Sequence, residues 1–114
     1  MNAINLKEKL SLFKEQWNPK IIGELNGQQV KLAKIQGEFV WHDHKNEDEL
    51  FYVIKGKLQF EIEHSEPFTM TKGDLFIVKR GINHRVSSKK ECSVLLVENK
   101  TTSHTGSTIS AISK

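Results

Sequence analysis

Residues 42–49 read His42-Asp43-His44-Lys45-Asn46-Glu47-Asp48-Glu49, and an apolar run with strand character, Leu50-Phe51-Tyr52-Val53-Ile54, follows at once. Successive side chains of an extended strand point to opposite faces, so His42 and His44 project from the same face. Two imidazoles on one face of a strand form half of a metal-binding site. The question is whether other donors can reach them.

A turn allows a third donor to join the two histidines. Asn46 and Asp48 have side chains that favour turns, and the chain can fold back there and bring Glu49 beside the pair. His84 follows a later glycine, Gly81, and is the fourth candidate ligand. Imidazole and carboxylate together suit zinc, iron, manganese, nickel or copper. The pattern therefore predicts a site for one divalent transition metal.

A single histidine is more often a surface or core residue than a metal ligand. Two of the five histidines fit that ordinary interpretation. His64 lies in the polar turn Glu63-His64-Ser65-Glu66-Pro67, and His104 lies in a tail rich in serine and threonine. We expect both to be solvated.

Length, charge and cysteine content limit the class of protein. With 114 residues the chain should form one domain. Its net charge of +3 comes from scattered lysines, so we expect no nucleic-acid partner. No apolar run approaches a membrane span, and the first residues lack a signal-peptide pattern. A single cysteine, Cys92, excludes an internal disulfide and favours a reducing cytoplasm.

Residues 1–19 predict a short helix that packs on the rest of the domain. The apolar residues of this segment fall at helical spacing on one face: Leu6, Leu10, Phe13 and Trp17. Asn5 with Glu8 resembles a capping box, and Asn18-Pro19 is a stop signal. A helix this short is marginal alone, so we expect the stripe to pack on an outer face of the domain or across a dimer interface.

Residues 20–100 alternate with period two and predict a barrel or sandwich of strands. Turn residues separate nine candidate strands: Ile21–Glu24, Gln29–Gln36, Glu38–His42, Leu50–Lys55, Lys57–Glu63, Phe68–Thr71, Asp74–Val78, His84–Ser87 and Ser93–Glu98. Many short strands at regular spacing are typical of a closed or sandwiched all-β fold. Residues 101–114 form a Ser/Thr-rich tail, which we expect to be disordered or a loosely held edge segment.

The same alternation predicts which side chains face inward. An apolar lining results: Val40, Phe51, Val53, Leu58, Phe60, Ile62, Phe76, Val78, Val86, Val94 and Leu96. The candidate ligands would then be polar exceptions inside a small apolar barrel. Such a dry, shaped pocket is what a metal site with open positions requires.

The two histidines, the glutamate and the glycines around them resemble the motifs of the cupin superfamily. The chain is similar to a small single-domain cupin with a conserved barrel of the cupin 2 type. The first cupin motif corresponds to Gly37, His42, His44, Glu49 and Gly56, with one residue fewer than usual between the first glycine and the first histidine. The resemblance covers residues 29–98, which is most of the chain.

The second cupin motif matches in part. Gly73, Gly81 and His84 stand where the family has them, while Lys79 replaces the usual proline and Ser88 the usual asparagine. Neither departure affects a candidate metal ligand. The resemblance implies an all-β jelly-roll barrel with a short N-terminal helix. It also implies a single divalent ion, iron, manganese, zinc, nickel or copper, held by His42, His44, Glu49 and His84.

The fold leaves the reaction open, because cupins include dioxygenases, isomerases of the mannose-6-phosphate isomerase type, other enzymes and plain binding modules. Our first hypothesis is a metal-dependent oxidoreductase or isomerase that acts on a small polar organic molecule. The alternative is a non-catalytic module that binds a small molecule, since no general base stands out beside the ligands. A purely structural metal site ranks last, because structural zinc prefers closed, cysteine-rich sites. Small cupins often pair through sheet edges, so we expect a homodimer.

Overall fold

The computed structural model describes residues 2–102, and strands dominate them. One short helix precedes seven strands in this range: α1 (Leu6–Leu10), β1 (Lys20–Leu25), β2 (Gln28–Glu38), β3 (Glu49–Lys55), β4 (Lys57–Ile62), β5 (Phe68–Thr71), β6 (Leu75–Val78) and β7 (His84–Asn99). All strand pairs are antiparallel. The predicted all-β jelly-roll fold with a short N-terminal helix is confirmed. The predicted tail lies outside the described residues from position 103 onward, and so does His104.

The long strand β7 holds the two halves of the barrel together. The strand order is β1-β2-β7-β3-β6, and β4 pairs with both β5 and β7. The last part of β7 lies between β2 and β3, with Leu96 opposite both Lys31 and Phe51. The first part of β7 pairs with β4, where His84 is opposite Ile62. No helix among the described residues is long and apolar enough to cross a membrane.

Two of the predicted strand boundaries were wrong. The candidate strand Glu38–His42 does not form, because β2 runs to Glu38 and the chain then leaves the sheet, returning only for a single bridge between His42 and His84. The candidates His84–Ser87 and Ser93–Glu98 are one continuous strand. The polar residues between them, Lys89-Lys90-Glu91, are exposed but remain extended.

The predicted N-terminal helix is shorter than its apolar stripe suggested. Asn5 caps it as expected, accepting a hydrogen bond from the Glu8 N–H at 2.8 Å, but it ends at Leu10. Beyond it, backbone groups bond to β2 instead of continuing the helix: the Trp17 N–H donates to the Lys34 carbonyl at 2.9 Å. Tertiary hydrogen bonds therefore override helical spacing in this segment.

The core confirms the predicted inward lining. Its buried members include Phe51, Val53, Leu58, Phe60, Val78, Val86, Val94 and Leu96, while Val40, Ile62 and Phe76 pack against them. Phe60 is fully buried, and its ring stacks on that of His84 with centroids 5.7 Å apart. The candidate site thus lies directly on the apolar core.

Candidate metal centre

Four predicted ligands come together at one end of the barrel. His42 and His44 lie on the loop between β2 and β3, Glu49 is the first residue of β3, and His84 is the first residue of β7. A pair of backbone hydrogen bonds links the loop to β7: the His42 N–H donates to the His84 carbonyl at 3.0 Å, and the reverse bond measures 2.9 Å. This bridge fixes the spacing of the two imidazoles. We call the four residues the His3Glu cluster.

The donor atoms of the His3Glu cluster converge. One nitrogen or oxygen from each residue lies within 4.8 Å of all the others. The side chains are buried, with exposed fractions of 4 % for His42 and His44, 6 % for Glu49 and 0 % for His84. Glu49 Oε1 lies 3.5 Å from His44 Nε2 and 3.8 Å from His84 Nε2. These separations are comparable with twice a metal–ligand bond of about 2.0–2.2 Å.

Backbone carbonyls orient two of the imidazoles. His42 Nδ1 lies 2.9 Å from the Val40 carbonyl oxygen, and His84 Nδ1 lies 2.9 Å from that of Ile82. A carbonyl oxygen accepts only, so each Nδ1 carries the proton and donates. Each Nε2 is then left with a free lone pair, which is the form that binds a metal.

Buried donors without partners show that the cluster fits a cation. Among the described residues, both ring nitrogens of His44, Oε1 of Glu49 and Nε2 of His84 are buried and have no hydrogen-bond partner. Unpaired buried polar atoms are costly and therefore rare. An ion bound between them would satisfy these atoms together. The residues present thus fit the divalent metal that the sequence predicted.

The ionisation of the cluster favours the metal-binding forms. Burial, together with the neighbouring His84, lowers the pKa of His42 to about 4. Burial alone would raise the pKa of Glu49. The neighbouring polar groups of Glu98, His44 and His84 outweigh burial and hold that pKa well below its ordinary value. A neutral imidazole and an ionised carboxylate are the forms that bind divalent metals.

Glu98 belongs to the surroundings of the site, and the sequence interpretation missed it. It lies opposite Glu49 in the β3–β7 register and is 3 % exposed. Burial and the Glu49 charge raise the pKa of Glu98 to about 9. Lys31 Nζ approaches its Oε1 at 2.7 Å. A signal was present: the alternation that places Val94 and Leu96 inward also places Glu98 inward.

A small cavity opens beside the cluster. It has a volume of about 30 Å³, and the lining residues are Trp17, Pro19, Ala33, Ile35, Phe39, His42, Glu49, Phe51, Val86 and Leu96. Trp17 was expected to pack on an outer face or at a dimer interface. Its ring instead stacks on Phe39, with centroids 4.8 Å apart, beside the His3Glu cluster. Helical spacing alone could not reveal this position.

The remaining candidates lie away from the cluster. The His64 side chain is 89 % exposed, as predicted. Lys79, at the usual proline position, is exposed and lies 3.7 Å from Asp48. Ser88, at the usual asparagine position, is buried and donates to the Lys57 carbonyl at 2.8 Å. Ser88 therefore links β7 to β4 and does not contact the His3Glu cluster.

Known proteins resemble this chain in sequence and in fold. Residues 28–98 match the cupin domain family. The uncharacterized protein YdbB of Bacillus subtilis is 35 % identical over 98 residues, which are 86 % of this chain and 80 % of that protein. The crystal structure of a cupin-2 domain containing protein from Shewanella frigidimarina matches with a TM-score of 0.84 and 38 % identity, covering 86 % of this chain and 95 % of that one.

An enzyme shares the fold at greater distance. Hydroquinone 1,2-dioxygenase from Sphingomonas sp. TTNP3 matches with a TM-score of 0.77 and 20 % identity. The match covers 88 % of this chain and 32 % of the dioxygenase chain. At this identity the likeness shows the fold alone.

Proposed function

Since this chain belongs to the cupin family, we propose that its His3Glu cluster binds one divalent transition metal and that the metal site acts on a small organic molecule as a dioxygenase or an isomerase. The observation that carries the proposal is the convergence of four buried donors within 4.8 Å. Several of these donor atoms have no other partner among the described residues. Iron, manganese, zinc, nickel and copper all suit this donor set.

The chain's own residues determine what such a site can do. A bound metal would act as a Lewis acid on an oxygen of the ligand or, if redox-active, support oxygen chemistry. The Val40 and Ile82 carbonyls hold the protons on His42 Nδ1 and His84 Nδ1, which fixes both rings. The apolar wall of the cavity keeps the local dielectric constant low and thereby strengthens electrostatic interactions inside it.

A binding module without turnover is the second candidate. Apart from His42 and Glu49, the described residues that line the cavity carry no titratable side chain. A general acid or base for proton transfer is therefore missing from the wall itself. This favours either chemistry that depends on the metal alone or simple retention of a small molecule. Turnover of a substrate panel by the protein loaded with each metal, including oxygen consumption, would separate the two.

The first test of the proposal is the metal content of the purified protein. Elemental analysis should find about one divalent metal per chain in the wild type, and His44→Ala or His84→Ala should lose most of it. His64→Ala is the matched control, since that histidine is exposed and outside the cluster. Circular dichroism should show that all variants keep their strands. Stoichiometric metal in both cluster variants would contradict the assignment.

Homodimer formation and a cytoplasmic location complete the proposal. The described surface has half-buried and exposed apolar side chains on the outer face of β3 and β6, which is compatible with self-association. The single cysteine is buried, and burial raises its pKa to about 11. An unreactive lone thiol suits a reducing compartment.

A further inference from the structure

Trp17 and Pro19 bring the N-terminal segment to the cavity beside the His3Glu cluster. The cavity is lined at once by Trp17 and Pro19 and by the candidate ligands His42 and Glu49. Its volume is about 30 Å³. One water requires about 10–15 Å³, so the space holds about two or three waters or a molecule of similar size. An organic molecule cannot enter while Trp17 keeps this position.

The backbone of Trp17 is strained. Its φ angle is +59°, in the left-handed region. A bulky aromatic residue rarely adopts this conformation, and neighbouring contacts must offset its cost. Such outliers concentrate at sites where position matters more than stability. The strain therefore points to a role for the placement of this side chain.

Specific contacts hold the indole over the cavity. The Trp17 N–H donates to the Lys34 carbonyl at 2.9 Å, and the indole Nε1–H donates to the Gln36 carbonyl at 2.9 Å. The ring stacks on Phe39, with an interplanar angle of 10°. Phe39 in turn meets the His42 ring edge-on at 5.3 Å. The indole is thus the outer layer of a stack that ends at a candidate metal ligand.

The segment that carries Trp17 is attached to the barrel through exposed or half-buried groups, among them Lys34 Nζ, which donates to the Phe13 carbonyl at 2.6 Å. We call residues 13–19 the strap. Gln16 Nε2 donates to Gln36 Oε1 at 3.1 Å and to Glu91 Oε2 at 2.8 Å, and all three residues are exposed. No residue of the strap is fully buried. Exposed hydrogen bonds and few buried contacts are properties of segments that open locally.

We propose that Trp17 is the specificity-determining gate of the metal site. With the indole in place the site accepts molecules the size of water, and displacement of the indole admits a larger organic ligand. This inference rests on the proposed function, because it names the ligand class of the same site.

The lining defines that ligand class further. None of the described lining residues is cationic, and the wall apart from the ligands is apolar or aromatic. A phosphorylated or heavily hydroxylated molecule would find no partners there. The lining favours a small, flat, largely apolar molecule whose polar atoms are confined to the end that meets the metal. The sequence predicted a polar substrate. The lining restricts this prediction to a molecule that is polar only at the end that binds the metal.

The test uses two carboxylates that share a metal-binding group and differ in size. Formate and benzoate are titrated into the full-length protein loaded with cobalt(II), whose visible spectrum reports a new ligand. The proteins are the wild type, Trp17→Gly, and Leu12→Ala as the matched N-terminal control, since Leu12 is 71 % exposed and absent from the lining. Glycine adopts a positive φ without strain, so Trp17→Gly can remove the indole and keep the path of the strap. Trp17→Phe serves as a second variant that keeps an aromatic ring.

Formate should bind all four proteins with the same affinity. Benzoate should bind Trp17→Gly more tightly than the wild type by roughly tenfold or more. If the open state of the wild type is populated at about 10 % or less, the apparent affinity of the wild type for benzoate is reduced to that fraction of the affinity of the open state. Trp17→Phe should fall between them, and Leu12→Ala should match the wild type. Equal benzoate affinity in the wild type and Trp17→Gly would overturn the gate. A parallel change for formate would also overturn it, since the substitution would then have altered the metal site itself.

Failure of the proposed function gives a different result. If the wild type takes up no cobalt, the metal assignment fails and the gate is tested on the metal-free proteins. Apolar cavities bind benzene when they are large enough and accessible. Benzene should then shift the NMR signals of core residues in Trp17→Gly and leave those of the wild type unchanged. The same response in both proteins would show that Trp17 does not control entry.

Discussion

Glu49 and Glu98 are two carboxyl groups buried side by side, and they differ in ionisation because their partners differ. Glu49 has His44 and His84 beside it, which hold its pKa well below the usual range. Among residues 2–102, Lys31 is the cation beside Glu98, and burial raises the pKa of Glu98 to about 9. Carboxyl pairs whose surroundings separate their pKa values in this way are common at functional sites.

The raised pKa of Glu98 predicts how stability depends on pH. The folded protein keeps the proton up to about pH 9, whereas the unfolded chain loses it near the ordinary value of 4.5. The stabilisation by this group is therefore complete below pH 4.5 and is lost as the pH rises towards 9. Neutral Glu98→Gln lacks this dependence. Relative to Glu98→Gln, the metal-free wild type should lose up to about 1.4 kcal/mol of unfolding free energy per pH unit in that window.

Urea denaturation of both proteins from about pH 5 to about pH 8 measures the difference directly, because terms from other groups cancel. Glu66→Gln is the control, since that carboxylate is exposed, and it should not show a difference of this size. A constant difference for Glu98→Gln would mean that Glu98 is ionised in the folded protein.

At the residue scale the sequence predicted the His3Glu cluster but not its surroundings. His42, His44 and Glu49 could be found because strand alternation and a short turn act over neighbouring residues. Glu98 and Trp17 reach the site through contacts that are distant in sequence. Trp17 in addition adopts a backbone conformation that no propensity favours. Strand alternation indicates that Glu98 faces inward, but local patterns do not show which distant residues Glu98 and Trp17 contact.

Glycines in two turns between consecutive strands show how strongly element geometry is constrained. Gly56 joins β3 to β4 with a φ of +88°, and Gly73 joins β5 to β6 with a φ of +94°. A Cβ on Gly56 would lie 3.1 Å from the Cys92 Cα and 3.1 Å from the Glu91 carbonyl oxygen. A Cβ on Gly73 would meet nothing within 4 Å. Both positions require the left-handed conformation, but only at Gly56 would an added Cβ also crowd neighbouring backbone atoms.

We therefore predict unequal costs for two alanine substitutions. Gly73→Ala should lower the unfolding free energy by about 1–2 kcal/mol, which is the strain of the left-handed conformation alone. Gly56→Ala should cost about 3 kcal/mol or more, because backbone atoms of β7 must move as well. Urea denaturation midpoints of the two variants measure this difference. Equal losses would show that β7 yields to the added methyl group without cost.

At the element scale, turn residues and alternation predicted most strands, and the errors have one cause. The predicted strand Glu38–His42 failed because residues 39–41 leave the sheet to present the histidines, although their composition suits a strand. The helix failed beyond Leu10 because the next residues bond to β2. In both cases tertiary hydrogen bonds decided between conformations that the local sequence allows about equally.

At the scale of the whole molecule, the outer face of the barrel carries apolar rows that continue across several strands. Leu50 of β3 pairs with Ile77 of β6 on one side and with Val97 of β7 on the other. The next row contains Tyr52, which pairs with Leu75 and Leu95. β6 ends the strand order, and its Leu75 and Ile77 are 55 % and 43 % exposed. An exposed apolar face of this kind indicates an interaction surface.

The expected homodimer would use this face, because an isologous interface places the same apolar rows of two copies against each other. We predict that the wild type sediments as a dimer and that Ile77→Glu sediments as a monomer. A carboxylate in the buried centre of the interface would lose its hydration without gaining a partner. Ile21→Glu is the matched control: Ile21 is 57 % exposed, but it lies on β1 at the opposite end of the strand order. That variant should keep the wild-type sedimentation, and both variants should keep their metal, because neither residue touches the His3Glu cluster. A wild type that sediments as a monomer, or a dimer that Ile77→Glu leaves intact, would contradict this assignment of the face.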